Sequence, residues 1–397
     1  VLYKRHFVGY KEAVTGPADD VEARIAAAVT NRSPAGIAKT IAGLVSTDEV
    51  AAGSQLPTIR RLAGRLGVST NTVADAWRIL QGRGVISTDR RRGTTVRGPR
   101  QRSAGRYWQV PVEPGTIELD LSTGTPDTDL LPPLGPVLHH LHTDVGVTSY
   151  VDPPLLDELE AELRRRWPFA AEALTVVDGA LDALDRAVQE LVSFGDVVVI
   201  EDPTFPPLID MLELAGADIV GVPVDADGVS PDAIGDAMTL DPVAVFIQPR
   251  AHNPTGAHLT AERAQAIAAV IANTGVIVVE DDHSGSASGA PMESVGEHAP
   301  AQVLHIRSFS KSHGPDLRIA AIGGPAGLVS DIVRRRRLGP SWTSRLIQHI
   351  LHAMLTDTDT ERLVAAAAAT YRTRREELGA RLDELGVDVE PGVGLNM

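Results

Sequence analysis

At 397 residues the chain exceeds one ordinary small domain, and its length suggests about two or three. Acidic residues outnumber basic ones, 52 to 37, for a net charge of −15, which argues against a wholly basic nucleic-acid coat. The absence of cysteine excludes disulfides and thiolate metal sites, while no apolar run long enough to span a bilayer and no signal peptide are visible, so the expected compartment is the cytoplasm.

Residues 1–33 form an extension to which no function is assigned; residues 21–29 fit a short amphipathic helix, and Asn31-Arg32-Ser33-Pro34 ends it. The pattern sharpens over residues 34–98. Ile37, Ile41 and Leu44 fall at helical spacing. After the turn Gly53-Ser54-Gln55-Leu56-Pro57, Thr58 stands at an N-cap position ahead of Ile59-Arg60-Arg61-Leu62. Gly67-Val68 makes a tight turn, and Ser69 caps a second helix over residues 70–81. Two short helices joined by a glycine-containing turn predict a helix-turn-helix. Gly84-Val85-Ile86, Asp89-Arg90-Arg91-Arg92-Gly93 and Thr94-Thr95-Val96 then read as strand, basic turn, strand, a β-wing.

Between residues 58 and 97 the acids are Asp75 and Asp89 alone, against a run of arginines that includes Arg60, Arg78 and the wing trio. A basic island in an acidic chain is the footprint of duplex DNA binding; its other reading is a solvated face on a three-helix subdomain. In the first reading the second helix enters the major groove, with Ser69, Thr70, Asn71 and Thr72 nearest the bases. Arg60, Arg78, Arg90, Arg91 and Arg92 then hold phosphate or probe the minor groove.

Residues 99–118 are rich in glycine, proline and arginine without a clear period and read as a connector. From residue 119 onward short β-branched runs (197–200, 219–222, 244–247 and 276–279) alternate with helical stretches such as 158–167, 181–192 and 261–272. This predicts an α/β fold with a largely parallel sheet and ligands beyond the carboxyl ends of its strands. Gly179 and Ala180 open a helix, where exposed N–H groups suit a phosphate, although the same residues also make a plain helix start. Phe205 follows a strand and could stack on a flat ring or simply pack. Asn253-Pro254-Thr255-Gly256 is a sharp turn. Asp281 ends a strand, where a carboxylate can pair with a protonated pyridine or merely cap.

Ser308-Phe309-Ser310-Lys311-Ser312-His313-Gly314-Pro315-Asp316-Leu317-Arg318 follows a strand expected over residues 302–306. A lysine amine among small hydroxyls, with an arginine seven residues on, suits a phosphate-bearing aldehyde: Lys311 for the Schiff base, and Ser308, Ser310 and Arg318 for the phosphate. The bland reading is a surface loop. A helix over residues 372–384 and a turn into a strand near 386–394 close the chain, so the last domain looks incomplete.

Leu56-Pro57-Thr58-Ile59-Arg60-Arg61-Leu62-Ala63 and Gly67-Val68-Ser69-Thr70-Asn71-Thr72-Val73 resemble the winged helix-turn-helix of GntR-type bacterial regulators, apart from Thr70, where the family often has arginine. From residue 119 the ordered segments resemble the fold-type I pyridoxal-phosphate aminotransferases. That resemblance implies pyridoxal 5'-phosphate as cofactor and Lys311 as the Schiff-base lysine. It sets Asp281 on the pyridine nitrogen, Asn253 near the ring hydroxyl, and Phe205 on the ring. Gly179, Ala180, Ser308, Ser310 and Arg318 fall at the phosphate, and Tyr150 matches a tyrosine that reaches a neighbouring subunit's phosphate. His283 stands where the family usually has a tyrosine. The family's carboxylate-binding arginine would lie beyond the end of this sequence. The fusion resembles the MocR-type transcriptional regulators, which implies a head-to-tail homodimer that binds operator DNA and senses an amino compound or pyridoxal phosphate. The competing expectation is a working aminotransferase tethered to DNA by its front module.

Overall fold

The computed structural model describes residues 18–47, 49–51, 53–82, 84–89, 93–97, 124–140, 149–193, 195–389 and 392–396. They fall into two compact units, the first within residues 1–105 and the second within 106–397.

In the first unit, α1 (Ala18–Ala28), α2 (Pro34–Ser46), α3 (Ile59–Leu66) and α4 (Thr70–Gly82) precede a hairpin of β1 (Ile86–Asp89) and β2 (Gly93–Val96). The helix ends follow their residues. The Thr58 hydroxyl accepts from Arg61 N at 3.3 Å, the Ser69 hydroxyl accepts from Thr72 N at 3.1 Å, and Gly67 takes the left-handed conformation that closes α3. Ile25, Ile37, Ile41, Leu62, Val73, Leu80 and Ile86 meet in one core, so α1 packs with the helix-turn-helix. The hairpin is antiparallel with Ile86 opposite Val96. Leu56 N donates to Thr94 O at 2.8 Å, which ties the segment before α3 to the wing. Arg90, Arg91 and Arg92 at the wing tip lie outside the described residues.

The second unit runs α5 (Leu134–His140), α6 (Asp157–Arg165), β3 (Ala173–Val177), α7 (Ala180–Leu191), β4 (Val197–Asp202), α8 (Pro206–Ala215), β5 (Asp218–Asp225), β6 (Gly228–Val229), α9 (Pro231–Met238), β7 (Ala244–Ile247), α10 (Ala261–Ile271), β8 (Ile277–Asp282), β9 (Val303–Ser308), β10 (Ala320–Gly324), α11 (Ala326–Arg336), α12 (Arg345–Thr356) and α13 (Thr358–Glu384). The eight strands form one sheet in the order β3-β10-β9-β8-β7-β4-β5-β6. Strands β9, β8, β7, β4 and β5 are parallel, and β3, β10 and β6 join antiparallel. Helices α7, α8 and α11 cover one face, packing on Val279, Leu304 and Ile306. Helices α9 and α10 cover the other, packing on Val245, Val278 and Val303. The carboxyl ends of β4, β7, β8 and β9 therefore open onto one edge, where loops can hold a ligand.

Two expectations change. The last helix is not confined to residues 372–384: α13 spans Thr358–Glu384, because the alanine run before Tyr371 has high helix propensity and buries Val364, Ala367 and Ala368. Residues 386–389 and 392–396 are turn and coil rather than strand; Val393 N donates instead to Gly256 O at 2.7 Å. Strand β10 escaped the β-branched pattern. Its Gly323 and Gly324 are required by close approach, since a Cβ at Gly323 would stand 2.7 Å from the Trp167 ring and one at Gly324 would stand 2.4 Å from Val303 O.

Candidate functional site

The strand ends converge as the sequence predicts for a ligand site. Phe205 caps α8 after β4, and Thr204, Phe205, Gln248 and Asp281 line one small cavity. Asp281 is buried at the end of β8. Its Oδ2 accepts from Gln248 Nε2 at 3.1 Å, and its Oδ1 is buried with no hydrogen-bond partner. Burial pushes the Asp281 carboxyl up to about 7; the Asp282 and Glu201 charges add to this, and Gln248 and Lys311 oppose it.

Lys311 follows β9 and is half-buried. Its Nζ lies 2.9 Å from His283 Nδ1. His283 Nε2 lies 2.8 Å from the Ala251 carbonyl, so that nitrogen donates and Nδ1 is left to accept from Lys311. Burial, and then the Lys311 charge, hold the imidazole well below its ordinary value, so it is neutral. Burial draws Lys311 down to about 8, with Asp281 pulling the other way. Lys311 is also the only lysine from residue 40 onward; the others are Lys4, Lys11 and Lys39.

A second pole forms where β3 and β9 run out. Gly179 has φ +101, and a Cβ there would meet Arg318 Nη2 at 2.9 Å, so glycine is what lets the guanidinium close on this turn. Arg318 Nη2 reaches the Asp178 carbonyl at 3.4 Å, and Ala180 opens α7 beside it. Ser310 N donates to the Ser308 hydroxyl at 3.3 Å, folding the loop that carries Lys311. Buried Arg336 clamps this turn from behind through Asp182 and Asp178, the latter at 3.1 Å.

Asn253 lies on the loop after β7, and its backbone N donates to Gln248 Oε1 at 2.7 Å. Gln248 thus fixes Asp281 and the Asn253 turn together, a residue that the sequence reading passed over although it stands one position past a strand. Tyr150 is not among the site side chains of its own chain: it is 87% exposed, with its ring 5.8 Å from Trp342.

In the first unit Arg60, Ser69, Thr70 and Asn71 are exposed and Thr72 is partly so, at the start of α3 and α4. The Thr72 hydroxyl lies 2.8 Å from that of Ser69. Arg78 is exposed and paired with Asp75.

Sequence comparison fits both units. The family "Aminotransferase class I and II" matches residues 116–394, and "Bacterial regulatory proteins, gntR family" matches residues 35–96. The chain is similar to the vitamin B6 salvage pathway transcriptional repressor PtsJ of Salmonella typhimurium, 34% identical over 350 residues that cover 87% of this chain and 80% of that protein. The chain belongs to the MocR-type regulators of the GntR family. The chain is also similar to the HTH-type pyridoxine biosynthesis transcriptional regulator PdxR of Corynebacterium glutamicum, 24% identical over 375 residues covering 89% of this chain and 79% of that one. The fold of the MocR-type second unit is also that of kynurenine aminotransferase from Pyrococcus horikoshii, with a TM-score of 0.60 at 19% identity over 66% of this chain and 69% of that one. Pyridoxal phosphate is accordingly the cofactor of this regulator, and the GntR-type unit binds DNA. Among the described residues no helix is long and apolar enough to cross a membrane.

The residues present fit that cofactor. A buried carboxylate oxygen without a partner suits a protonated ring nitrogen, and the Gly179–Arg318 approach suits a phosphate.

Proposed function

We propose that this regulator senses an amino compound, or pyridoxal phosphate itself, at Lys311. Residues 34–98 read operator duplex, 99–118 connect, and 119–397 sense. The observation that carries the reading is the unsatisfied, buried Asp281 Oδ1, within reach of the charge of a partly neutral lysine. An unpaired buried carboxylate is costly, and a cationic ring nitrogen relieves it.

Lys311 would engage the aldehyde carbon and Asp281 the ring nitrogen. Asn253 and His283 would sit at the ring hydroxyl, with Phe205 stacking on the ring. Gly179, Ala180, Ser308, Ser310 and Arg318 would hold the phosphate. When bound, the cofactor supplies an aldehyde that amines capture and a ring that withdraws electrons. The protein's own contribution is proton control. His283 commits Nε2–H to Ala251 and offers Nδ1 to Lys311, keeping the amine oriented. At neutral pH about a tenth of a lysine with pKa about 8 is neutral and nucleophilic. A ligand then shifts the DNA-binding state only by its differential affinity for two conformations. Exposed Tyr150 leaves a ring available to a second copy, which supports a head-to-tail homodimer.

Borohydride reduction of the cofactor-loaded full-length protein, followed by mass spectrometry, tests the assignment. The wild type should carry one adduct on Lys311, and Lys311→Ala none. An adduct on Lys4, Lys11 or Lys39 would overturn it.

A further inference from the structure

Strand alternation sends Asp281 and Ser308 to one face of the sheet and Asp282 and Arg307 to the other. On that second side, between the ends of β8 and β9 and helices α12 and α13, lies a cavity of about 430 Å³. Arg166, Arg250, Arg307 and Arg372 line it together with apolar Met354 and Val364. We propose that this cavity is a second ligand site, distinct from the cofactor pocket, for a small organic anion: a carboxylate or phosphate carrying an apolar portion.

The charges around it do not cancel. Arg250 is matched by Asp282 through bonds of 2.7 and 2.6 Å. Arg166 is matched by Glu162 and by Glu361, the latter at 3.3 Å. Arg307 is different. It donates to the Arg166 carbonyl at 3.0 Å and the Ser286 hydroxyl at 3.3 Å, both neutral acceptors, and its Nε is buried with no partner. Burial draws Arg307 down to about 10, with Asp282 opposing and the Arg250 and Arg166 charges adding, so it remains a cation at neutral pH. A half-buried guanidinium with a partnerless buried Nε, hydrogen-bonded only to neutral acceptors and lying 5.6 Å from the Phe309 ring centre, is an expensive arrangement that an entering anion offsets. Exposed Arg372 sits at the rim, where it can draw an anion in. The Met354 and Val364 wall favours a ligand with a hydrocarbon part over a bare ion.

The test uses the full-length protein saturated with pyridoxal phosphate, so that the first site is filled. Inorganic phosphate, benzoate and phenyl phosphate are titrated by calorimetry. Phenyl phosphate and benzoate should bind, with inorganic phosphate at least about tenfold weaker than phenyl phosphate. Arg307→Gln should weaken the organic anions by about tenfold or more, the scale of a charge-assisted hydrogen bond. Ala365→Trp, at an exposed α13 position on the cavity lining, should abolish binding without touching the core, which keeps the test decisive if Arg307→Gln fails to fold. Binding of none of the three probes, or binding unchanged in Ala365→Trp, would overturn the proposal. Cofactor absorbance unchanged during titration separates this site from the Lys311 pocket; displacement of the cofactor by the probes would overturn it as well.

Discussion

Replacing Asp281 with asparagine separates what the carboxylate costs the cofactor-free protein from what it does for the cofactor. In the free protein the carboxyl rises from 3.8 to about 7, mainly through burial. At about 1.4 kcal/mol per pH unit, this corresponds to about 4 kcal/mol lost above pH 7. The sign follows from proton counting. Between pH 4 and 7, roughly, the folded protein holds a proton on Asp281 that the unfolded chain has released, so this residue makes stability fall as pH rises through that window. Asp281→Asn keeps the shape, and its oxygen can still accept from Gln248, but it carries no charge. Urea denaturation of the cofactor-free proteins from about pH 5 to pH 8 should show a steeper decline for wild type than for Asp281→Asn, and a variant more stable at pH 8 by an amount on the order of the 4 kcal/mol above. The same variant should retain pyridoxal phosphate far less tightly, because an amide cannot neutralise a protonated ring nitrogen. Equal pH slopes, or equal cofactor retention, would refute the account of Asp281 as a strained acid awaiting a cation.

His283→Phe should destabilise the cofactor-free protein by about 1–3 kcal/mol, since it strips the Ala251 carbonyl of its donor in a buried setting; thermal denaturation reads this, and no loss would mean that water replaces the imidazole. Arg60→Ala should weaken operator binding and lower the salt-dependence slope by about 1, because an exposed arginine at the start of α3 releases one counterion; an unchanged slope in fluorescence anisotropy would remove Arg60 from the interface. Leu62→Ala, fully buried in the first core, should cost about 2–5 kcal/mol and abolish DNA binding at growth temperature without altering cofactor absorbance, a split that also tests the independence of the two units.

Much of this protein is written locally. Thr58, Ser69 and Gly67 announce the ends of α3 and α4 because capping is decided by a residue and its neighbours three positions away. The β-branched runs announce β4, β7 and β8 because a strand buried on both faces is apolar throughout. As candidates, Asp281 stands out at the end of a strand and Lys311 just past one, where an α/β sheet exposes its ligands, and Arg318 stands out by following Lys311 by seven residues; Lys311 is also the only lysine after residue 39.

What depends on distant partners was not legible. Strand β10 is Ala-Ala-Ile-Gly-Gly, a sequence with little intrinsic preference for a strand. It becomes one because β3 and β9 hold it on either side and Trp167 and Leu174 leave no room for larger side chains. Gln248 matters because it bridges strand β8 and the loop after β7, bonding Asp281 on the one and the Asn253 backbone on the other. The neutral state of His283 and the lowered affinity of Lys311 for its proton come from burial, which no residue type encodes. The arginine cavity is the extreme case. Arg166, Arg250, Arg307 and Arg372 are scattered over the chain, and packing of α13 against α12 and the turn at Gly285–Ser288 gathers them, with Arg250 and Arg166 hydrogen-bonded to carboxylates and Arg307 only to neutral acceptors. The sequence by itself determined the two modules and their helix caps, since these rest on short-range sterics and hydrogen bonds. The tertiary structure decided which charges are paired, which are buried and which remain unmatched, since desolvation and ion pairing depend on neighbours far away along the chain.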